Sequence, residues 1–326
     1  MTGKTIFEDL PPEVWLNIFA YLNSREQFKG FFNLKSSINS LLLDYIHHVK
    51  VKENDEDSQY VLDHILPRIS QSNYVSSLRL ESIHKMNIFQ NIHFFYFPNL
   101  RSLTLCHLHI TNDILNLLRY YSPYLEYLDV SSFVSNRWIQ LLESILSFTK
   151  LQICYLNLNM ILCRMKSLFQ SPVKHLTLLS TSRTCSLKNI TTFLNHFHSL
   201  DSLHIECSKI INDEVMNTKP ISLSYFYLQV NSLPELFTDF MLFLTTTISR
   251  VEKLHIKCCQ AISNFLYVKI IYWIKLIDSL DNLNELILFF RPNNKIIEKT
   301  WNRRCNEIMA FTKIRNITFR IVSLEK

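Results

Sequence analysis

A short pattern of apolar and polar positions recurs along the chain. It consists of an apolar residue, two variable residues, a second apolar residue, one variable residue and a third apolar residue, as in VSSLRL, LRSLTL and LEYLDV. Alternation in the second half of the pattern is typical of a β-strand with one buried side. We therefore predict one strand at each copy. The ten copies that we count begin at Val75, Leu100, Leu125, Ile153, Val173, Leu200, Leu223, Val251, Leu283 and Ile314.

The segments between these predicted strands change to the spacing of an amphipathic helix. Apolar residues stand at i, i+3, i+4 and i+7 in three intervals, beginning at Ile114, Trp138 and Ile190. Because the copies lie twenty to thirty-two residues apart, each interval has room for the crossover that parallel strands need. The sequence therefore predicts an α/β protein in which a strand, a turn and a helix repeat, each unit burying its apolar side against its neighbours.

Two copies extend in a way that resembles leucine-rich repeats. Residues 223–233 fit the full eleven-residue consensus with Asn231 at its polar position, and residues 251–261 fit the variant with Cys259 there. The resemblance covers about three quarters of the chain. It implies a solenoid of about ten strand–helix repeats with a parallel sheet on its concave face, which holds out a long surface for a partner.

The first fifty residues lack the strand pattern and instead predict three helices. Asp9-Leu-Pro-Pro-Glu13 begins a helix well, since proline is tolerated in the first turn and an acid complements the helix dipole. Residues 14–22 are apolar on nearly every side, and two further helices are predicted over 25–34 and 37–45. A helix that is apolar all round must be covered all round. Either the three helices keep an apolar surface for a partner, or they pack against the first repeats.

This segment resembles an F-box through Leu10-Pro11-x-Glu13, Ile18-Phe19-x-x-Leu22, Phe31-Phe-Asn-Leu34 and Ile38-Asn-x-Leu-Leu42. In that family, the three helices bind a Skp-type adaptor, which links them to the cullin and RING subunits of an SCF ubiquitin ligase. Leucine-rich repeats after an F-box bind the protein substrate. The resemblance implies that the residues at the adaptor interface are Leu10, Pro11, Glu13, Val14, Ile18, Phe19, Leu22, Phe28 and Leu34.

The predicted organisation has three parts: an F-box over residues 1–48, an acidic linker with a capping helix over 49–73, and the solenoid over 74–326. The acidic run over 53–57 would suit a basic partner, but a solvated linker is the interpretation we favour. The function predicted from this order of domains is that of the substrate-recognition subunit of an SCF-type ligase. The alternative is a scaffold or binding protein, outside any ligase, whose N-terminal helices only cap the solenoid.

Side chains between the buried strand positions point to the opposite face of the sheet. In the middle and later repeats these positions are rich in tyrosine, which is frequent in binding hot spots. The alternative is that these tyrosines form ordinary cross-strand pairs. We predict that the target protein contacts Tyr127, Asp129, Tyr155, His175, His204, Tyr225, Tyr227, Lys253 and His255.

The residue types argue against several kinds of chemistry. Gly3 and Gly30 are the only glycines, which excludes phosphate-binding loops and the glycine-flanked nucleophile elbow. Twelve histidines and eight cysteines are present, but none has the paired spacing of a structural zinc site. We therefore expect no catalytic residue, no metal, no cofactor and no enzymatic activity.

Charge and hydropathy limit the partners and the compartment. The net charge is +6, and the basic residues after Lys295 would suit nucleic acid, although a solvated outer face is the simpler interpretation. No apolar segment of signal-peptide length opens the chain, and the apolar stretch over 261–277 is too short to span a bilayer, so no membrane association is expected. Without any Cys-x-x-Cys, reduced thiols in the cytoplasm or nucleus are expected.

Overall fold

The computed structural model shows a mixed α/β protein whose strands are parallel and alternate with helices along most of the chain. The chain divides into two compact units, Met1–Ser135 and Asn136–Lys326. The three N-terminal helices thus belong to the same unit as the first four strands. The residues that the structure describes are 10–22, 24–32, 34–45, 48–52, 56–69, 75–81, 97–132, 137–158, 170–211, 221–232, 237–248, 250–262, 270–292 and 295–323.

The first unit begins with helices and continues with strands that pair in chain order, each parallel to the next. A π-helical segment, Val61–Ile65, joins α4 to α5. The elements are α1 (Pro12–Ala20), α2 (Ser24–Phe31), α3 (Ser36–Tyr45), β1 (His48–Lys52), α4 (Glu56–Tyr60), α5 (Leu66–Ile69), β2 (Ser77–Glu81), β3 (Ser102–Leu108), α6 (Asn112–Tyr121) and β4 (Tyr127–Ser132).

The second unit continues the alternation, and its strands also pair in chain order and in parallel. Its elements are α7 (Trp138–Leu146), β5 (Ile153–Leu158), β6 (His175–Ser186), α8 (Leu187–Leu194), β7 (Ser202–Ile211), β8 (Tyr225–Ser232), α9 (Phe237–Thr247), β9 (Lys253–Ile262), α10 (Ile270–Ser279), β10 (Glu285–Pro292), α11 (Lys295–Ile314) and β11 (Thr318–Ser323).

The strand motif repeats in both units. We number its positions 1 to 6 from the first apolar residue, so that Leu223 is position 1 of β8. Positions 1, 4 and 6 are buried, as Leu223, Phe226 and Leu228 show with at most 1% exposure. Burial of each such side chain stabilises the fold by about 1.5–3 kcal/mol relative to an exposed one. The side chains at positions 3 and 5 therefore point to the other side of the sheet.

A backbone hydrogen bond at position 2 links successive repeats and shows where each motif begins. The amide of Asp201 donates to the carbonyl of Lys174 at 2.8 Å, and the amide of Ser224 donates to Asp201 at 2.8 Å. The amide of Lys174 donates in turn to Gln152 at 2.8 Å. Gln152 is therefore position 2 of its repeat, and the fourth motif begins at Leu151 rather than at the predicted Ile153.

Two further corrections concern the ends of the strand series. Residues 49–52, predicted as linker, form most of strand β1, which pairs with β2 in register from His48 to Lys52. The last motif was predicted to begin at Ile314, but that side chain is 79% exposed at the end of α11. Pairing of Leu286 with Phe319 and of Leu288 with Ile321 puts Asn316 at position 1 instead, where this last strand has an exposed polar residue in place of a buried apolar one.

The helices that were predicted from spacing are present, with local reasons for their ends. Helix α6 begins after Thr111, whose side chain accepts a hydrogen bond from the amide of Ile114, as an N-cap does. Its apolar stripe is buried, including Leu118 and Tyr121. Helix α8 begins in the same way after Ser186, whose side chain accepts a hydrogen bond from the amide of Asn189.

Among the described helices, none combines the length and the apolar character that crossing a membrane requires.

Candidate partner-binding surfaces

Helix α1 exposes apolar side chains along one stripe. It begins with Pro12 at its first position and Glu13 in its first turn, and it buries only Trp15 and Phe19. Val14 is 39% exposed, Ile18 is half-buried and Tyr21, directly after the helix, is 89% exposed. Residues four and three apart on a helix lie above one another, so these three side chains form one stripe, which we call the α1 flank.

The buried side of α1 is held by an aromatic cluster and by one glutamine. Trp15 and Phe19 contact Phe31 of α2, with ring centroids 5.3 and 5.6 Å apart in edge-to-face geometry. The buried amide Nε2 of Gln27 donates to the carbonyls of Phe19 and Leu22, each at 2.8 Å. The first bond adds to the one that the Phe19 carbonyl accepts from the amide of Leu22 at 3.2 Å, and the second satisfies the Leu22 carbonyl just beyond the end of α1. The α1 flank is thus presented on a fixed helix.

The structure separates the predicted adaptor-binding residues into surface and core. Pro11, Glu13, Val14 and Leu34 are exposed, and Leu10, Ile18 and Leu22 are half-buried. Phe19, with 0% exposure, and Phe28, with 2%, lie in the core instead. A fully buried ring offers no surface of its own to a partner, so the place of Phe19 and Phe28 at or beside the adaptor interface stays a prediction. Sequence reasoning also left out Leu16 and Tyr21, which are 40% and 89% exposed.

In the second unit, the predicted target-binding residues on β7, β8 and β9 come together. The hydroxyl of Tyr225 lies 3.2 Å from Nδ1 of His255, and the two rings meet edge to face at 5.0 Å. Tyr227 meets the ring of His204 in the same geometry at 4.3 Å. Each tyrosine therefore pairs with a histidine on a neighbouring strand, as aromatic residues across a sheet commonly do.

Polar residues on the same strands extend these pairs into a network. Nε2 of His204 lies 2.9 Å from Oε1 of Glu206, and the hydroxyl of Tyr227 donates to Oε1 of Gln229 at 3.0 Å. Gln229 donates in turn to Oε2 of Glu206 at 3.5 Å. Glu285 Oε2 is 3.7 Å from His255 Nε2, too far for a direct hydrogen bond. We call His204, Glu206, Tyr225, Tyr227, Gln229, His255 and Glu285 the tyrosine–histidine cluster.

The environment of the cluster shifts the pKa values of Tyr225, Tyr227 and His255 in the directions that favour their neutral forms. Burial raises the pKa of Tyr227 to about 12, and the Glu206 carboxylate adds to the effect. Burial also raises the pKa of Tyr225, with a further contribution from Glu285. Burial lowers the pKa of His255 and outweighs the opposing attraction of Glu285. The surface therefore offers hydroxyl groups and a neutral imidazole as hydrogen-bonding partners.

The remaining predicted residues lie outside this network or at its edge. Lys253 is paired in register with Tyr225 and is exposed. His175 Nδ1 is 3.1 Å from the hydroxyl of Ser202, and Tyr155 is 39% exposed beside Thr177. Tyr127 and Asp129 belong to the first unit. Cluster members that were not predicted as contacts are Glu206, Gln229 and Glu285; Glu285 stands at position 3, and the other two follow position 6 directly.

The equivalent face of the first unit carries charged groups in place of aromatic pairs. Nζ of Lys50 lies 3.1 Å from Oε2 of Glu81, and Nε of Arg79 lies 3.6 Å from the same oxygen. Burial raises the pKa of Asp129, while the Arg79 guanidinium opposes that shift. The two units thus present different chemistry at equivalent motif positions.

Within the described part of the chain, no three histidine, cysteine or acidic side chains come together as a metal site would need. No protein-family model matches the chain, and no curated protein matches it. The functional argument therefore rests on the two surfaces described above.

Proposed function

We propose that the chain is the substrate-recognition subunit of an SCF-type cullin–RING ubiquitin ligase. In this proposal, the N-terminal helices are an F-box that binds a Skp-type adaptor. The strand–helix units are leucine-rich repeats that bind the target protein, and the adaptor's partners transfer ubiquitin. The chain itself would hold two proteins together without catalysing a reaction, in the cytoplasm or the nucleus.

The observation that carries the proposal is the α1 flank. Exposed apolar side chains arranged in a stripe on an ordered helix are a common feature of protein interfaces. Val14, Ile18 and Tyr21 follow directly on the Leu10-Pro11-x-Glu13 sequence that resembles the opening of an F-box. Covering apolar surface of this kind contributes about 25 cal/mol per Å². Removal of this apolar surface from water would therefore favour binding of a partner that buries the stripe.

The tyrosine–histidine cluster supports the second half of the proposal. Tyrosine rings at positions 3 and 5 are held by cross-strand contacts, which reduces the entropy that they lose on binding. Hot spots of protein interfaces are enriched in such ordered aromatic residues. The apolar core of the repeats is formed by positions 1, 4 and 6, so this face adds cross-strand contacts without being part of that core.

The test is capture of a Skp-type adaptor by the full chain. The variant Val14→Asp/Tyr21→Asp puts two charges on the α1 flank and leaves the buried Trp15 and Phe19 untouched. The matched control is Leu242→Asp/Ile271→Asp, which charges two apolar residues of the second unit that are 47% and 50% exposed. We expect the wild type and the control to co-purify with the adaptor and the flank variant to lose it.

Two results would contradict the proposal. Adaptor retained by the flank variant would show that the stripe is not the contact surface. Failure of the wild-type chain to bind the adaptor at all would favour the scaffold alternative, in which the helices only cap the repeats. Circular dichroism of each variant distinguishes a lost contact from a lost fold.

A further inference from the structure

Three cations lie on the same face of strands β9 and β11. Lys253, Lys257 and Arg320 form no ion pair with any residue that the structure describes. Lys253 and Arg320 are exposed, and Lys257 is half-buried. Lys253 lies two residues before His255 on β9, and Arg320 lies in register with His255 two strands away. Both cations add to the lowering of the pKa of His255 that burial mainly causes. The cations are thus grouped rather than scattered.

Strand pairing places apolar groups between these cations. Ile287 of β10 is paired with His255 on one side and with Arg320 on the other, and Phe289 is paired with Lys257. Neighbouring strands lie about 4.8 Å apart, so Arg320 is about 10 Å from the β9 row. Along β9, Lys253 and Lys257 are four residues apart, which corresponds to about 13 Å. An extended peptide has the same spacing between side chains i and i+4.

The charge of the whole unit has the same sign as this group of cations. The second unit contains 23 lysines and arginines against 14 aspartates and glutamates, whereas the first contains 11 against 14. The excess of basic over acidic residues is therefore confined to the unit that carries the tyrosine–histidine cluster. An excess of one sign attracts partners of the other sign and speeds their association.

We propose that the face of β8 to β11 binds an extended acidic segment of the target protein. Carboxylates of that segment contact Lys253, Lys257 and Arg320, and its other side chains contact Tyr225, Tyr227 and Phe289. This inference rests on the proposed function only in calling the ligand a target; the binding itself does not depend on an adaptor. Charge-assisted hydrogen bonds from lysine and arginine to carboxylates supply the recognition.

A polypeptide fits this face better than a nucleic acid does. Glu285 is paired in register with Lys253, and Glu206 lies in register with Lys257 two strands away, across Gln229. Both would repel a continuous row of phosphates, whereas a peptide can place its acids only opposite Lys253, Lys257 and Arg320. Nucleic-acid grooves, in contrast, track the backbone with cations along their whole length. The two glutamates therefore favour a ligand whose negative charges are separated by neutral groups.

The test measures binding of a fluorescein-labelled peptide of alternating glutamate and serine to the full chain by fluorescence anisotropy. A peptide with lysine in place of glutamate and a single-stranded DNA oligonucleotide are measured beside it. The site variant is Lys253→Glu/Lys257→Glu/Arg320→Glu. The matched control, Lys150→Glu/Lys275→Glu/Lys313→Glu, changes the net charge of the unit equally at exposed positions on a loop, α10 and α11.

We expect the wild type and the control to bind the glutamate peptide similarly and the site variant to lose roughly tenfold or more in affinity. The lysine peptide should not bind. Equal losses in the site variant and the control would overturn the proposal, because binding would then follow only the overall charge. Tighter binding of the oligonucleotide, lost in the site variant, would overturn it in favour of a nucleic-acid surface.

A milder variant, Lys253→Gln/Lys257→Gln, separates loss of contact from loss of fold and should also weaken peptide binding while unfolding at the same temperature as the wild type. Adaptor capture is measured on the same samples. If the site variant loses peptide binding but still captures the adaptor, the result supports the acidic-segment proposal and leaves the F-box assignment intact. Adaptor capture absent in every sample, with peptide binding intact, overturns the ligase assignment alone.

Discussion

The α1 flank and the tyrosine–histidine cluster are both surfaces that a partner could cover, but they are built differently. The flank is an apolar stripe on one helix, and the core beneath it is formed by Trp15 and Phe19. The cluster is a network across four strands in which each polar group already has a neighbour. Apolar stripes give affinity through buried area, whereas pre-arranged polar groups mainly give specificity.

The largest expected effect on unfolding free energy distinguishes a core residue of α1 from a residue of its flank. Phe19→Ala removes a fully buried ring from the aromatic cluster and should cost about 3–5 kcal/mol of unfolding free energy. Tyr21→Ala, at an 89% exposed position, should change it by less than about 0.5 kcal/mol. Urea unfolding followed by circular dichroism measures both. Similar losses for the two variants would mean that the flank is part of the core.

A smaller effect tests how the flank is held in place. Gln27→Met keeps the volume of the side chain but removes the donor of the Leu22 carbonyl and one of the donors of the Phe19 carbonyl. Because unsatisfied buried groups are costly, we expect a loss of about 1–3 kcal/mol. The control Gln59→Met removes an exposed bond to Asp63 and should cost less than about 0.5 kcal/mol. Equal urea midpoints for the two variants would refute the role of Gln27.

The pH dependence of stability tests the cluster. Since the pKa of His255 is lowered in the folded state, the unfolded chain binds a proton more readily. The folded state therefore loses stability as the pH falls below the unfolded value of about 6.5. Urea unfolding of wild type and His255→Gln between about pH 7.5 and about pH 5 should show a shallower decline in the variant. Parallel declines would show that His255 titrates as in the unfolded chain.

The smallest effect concerns one tyrosine of the cluster. Ultraviolet titration of tyrosinate should contain a component near pH 12 from Tyr227, against an ordinary value of 10.0. Tyr227→Phe should remove that component, and Glu206→Gln should move it to lower pH because a neighbouring negative charge is lost. A stability gain from the protonated hydroxyl would persist below pH 10 and disappear as the pH rises. An unchanged titration curve in Tyr227→Phe would contradict the assignment.

The sequence predicted the repeating strand and helix well because burial enforces a strict spacing. It misplaced the fourth motif because Leu151-x-x-Cys154-x-Leu156 and Ile153-x-x-Leu156-x-Leu158 overlap, and both fit the pattern. Strand β1 was missed although Ile46-x-x-Val49-x-Val51 has the same form, since it directly follows the last N-terminal helix. Local patterns cannot decide between two registers; pairing with the neighbouring strand does.

The sequence predicted the tyrosine–histidine cluster better than the α1 flank. Alternation along a strand identified Tyr225, Tyr227 and His255 as residues of one face, and the structure brings them together. In α1, where apolar residues occur all round, spacing gave no means of separating Phe19 in the core from Tyr21 on the flank. The direction in which such a helix packs is decided by its contacts with α2 and α3, which the sequence of α1 does not contain.

The most direct test of the central claim, that the α1 flank is a binding surface for the adaptor, is hydrogen–deuterium exchange of the full chain with and without a purified Skp-type adaptor. We expect exchange to slow in peptides that contain Pro12–Ala20 and to stay unchanged in peptides from β8 and β9. No change over Pro12–Ala20, or slowed exchange confined to the second unit, would contradict the account.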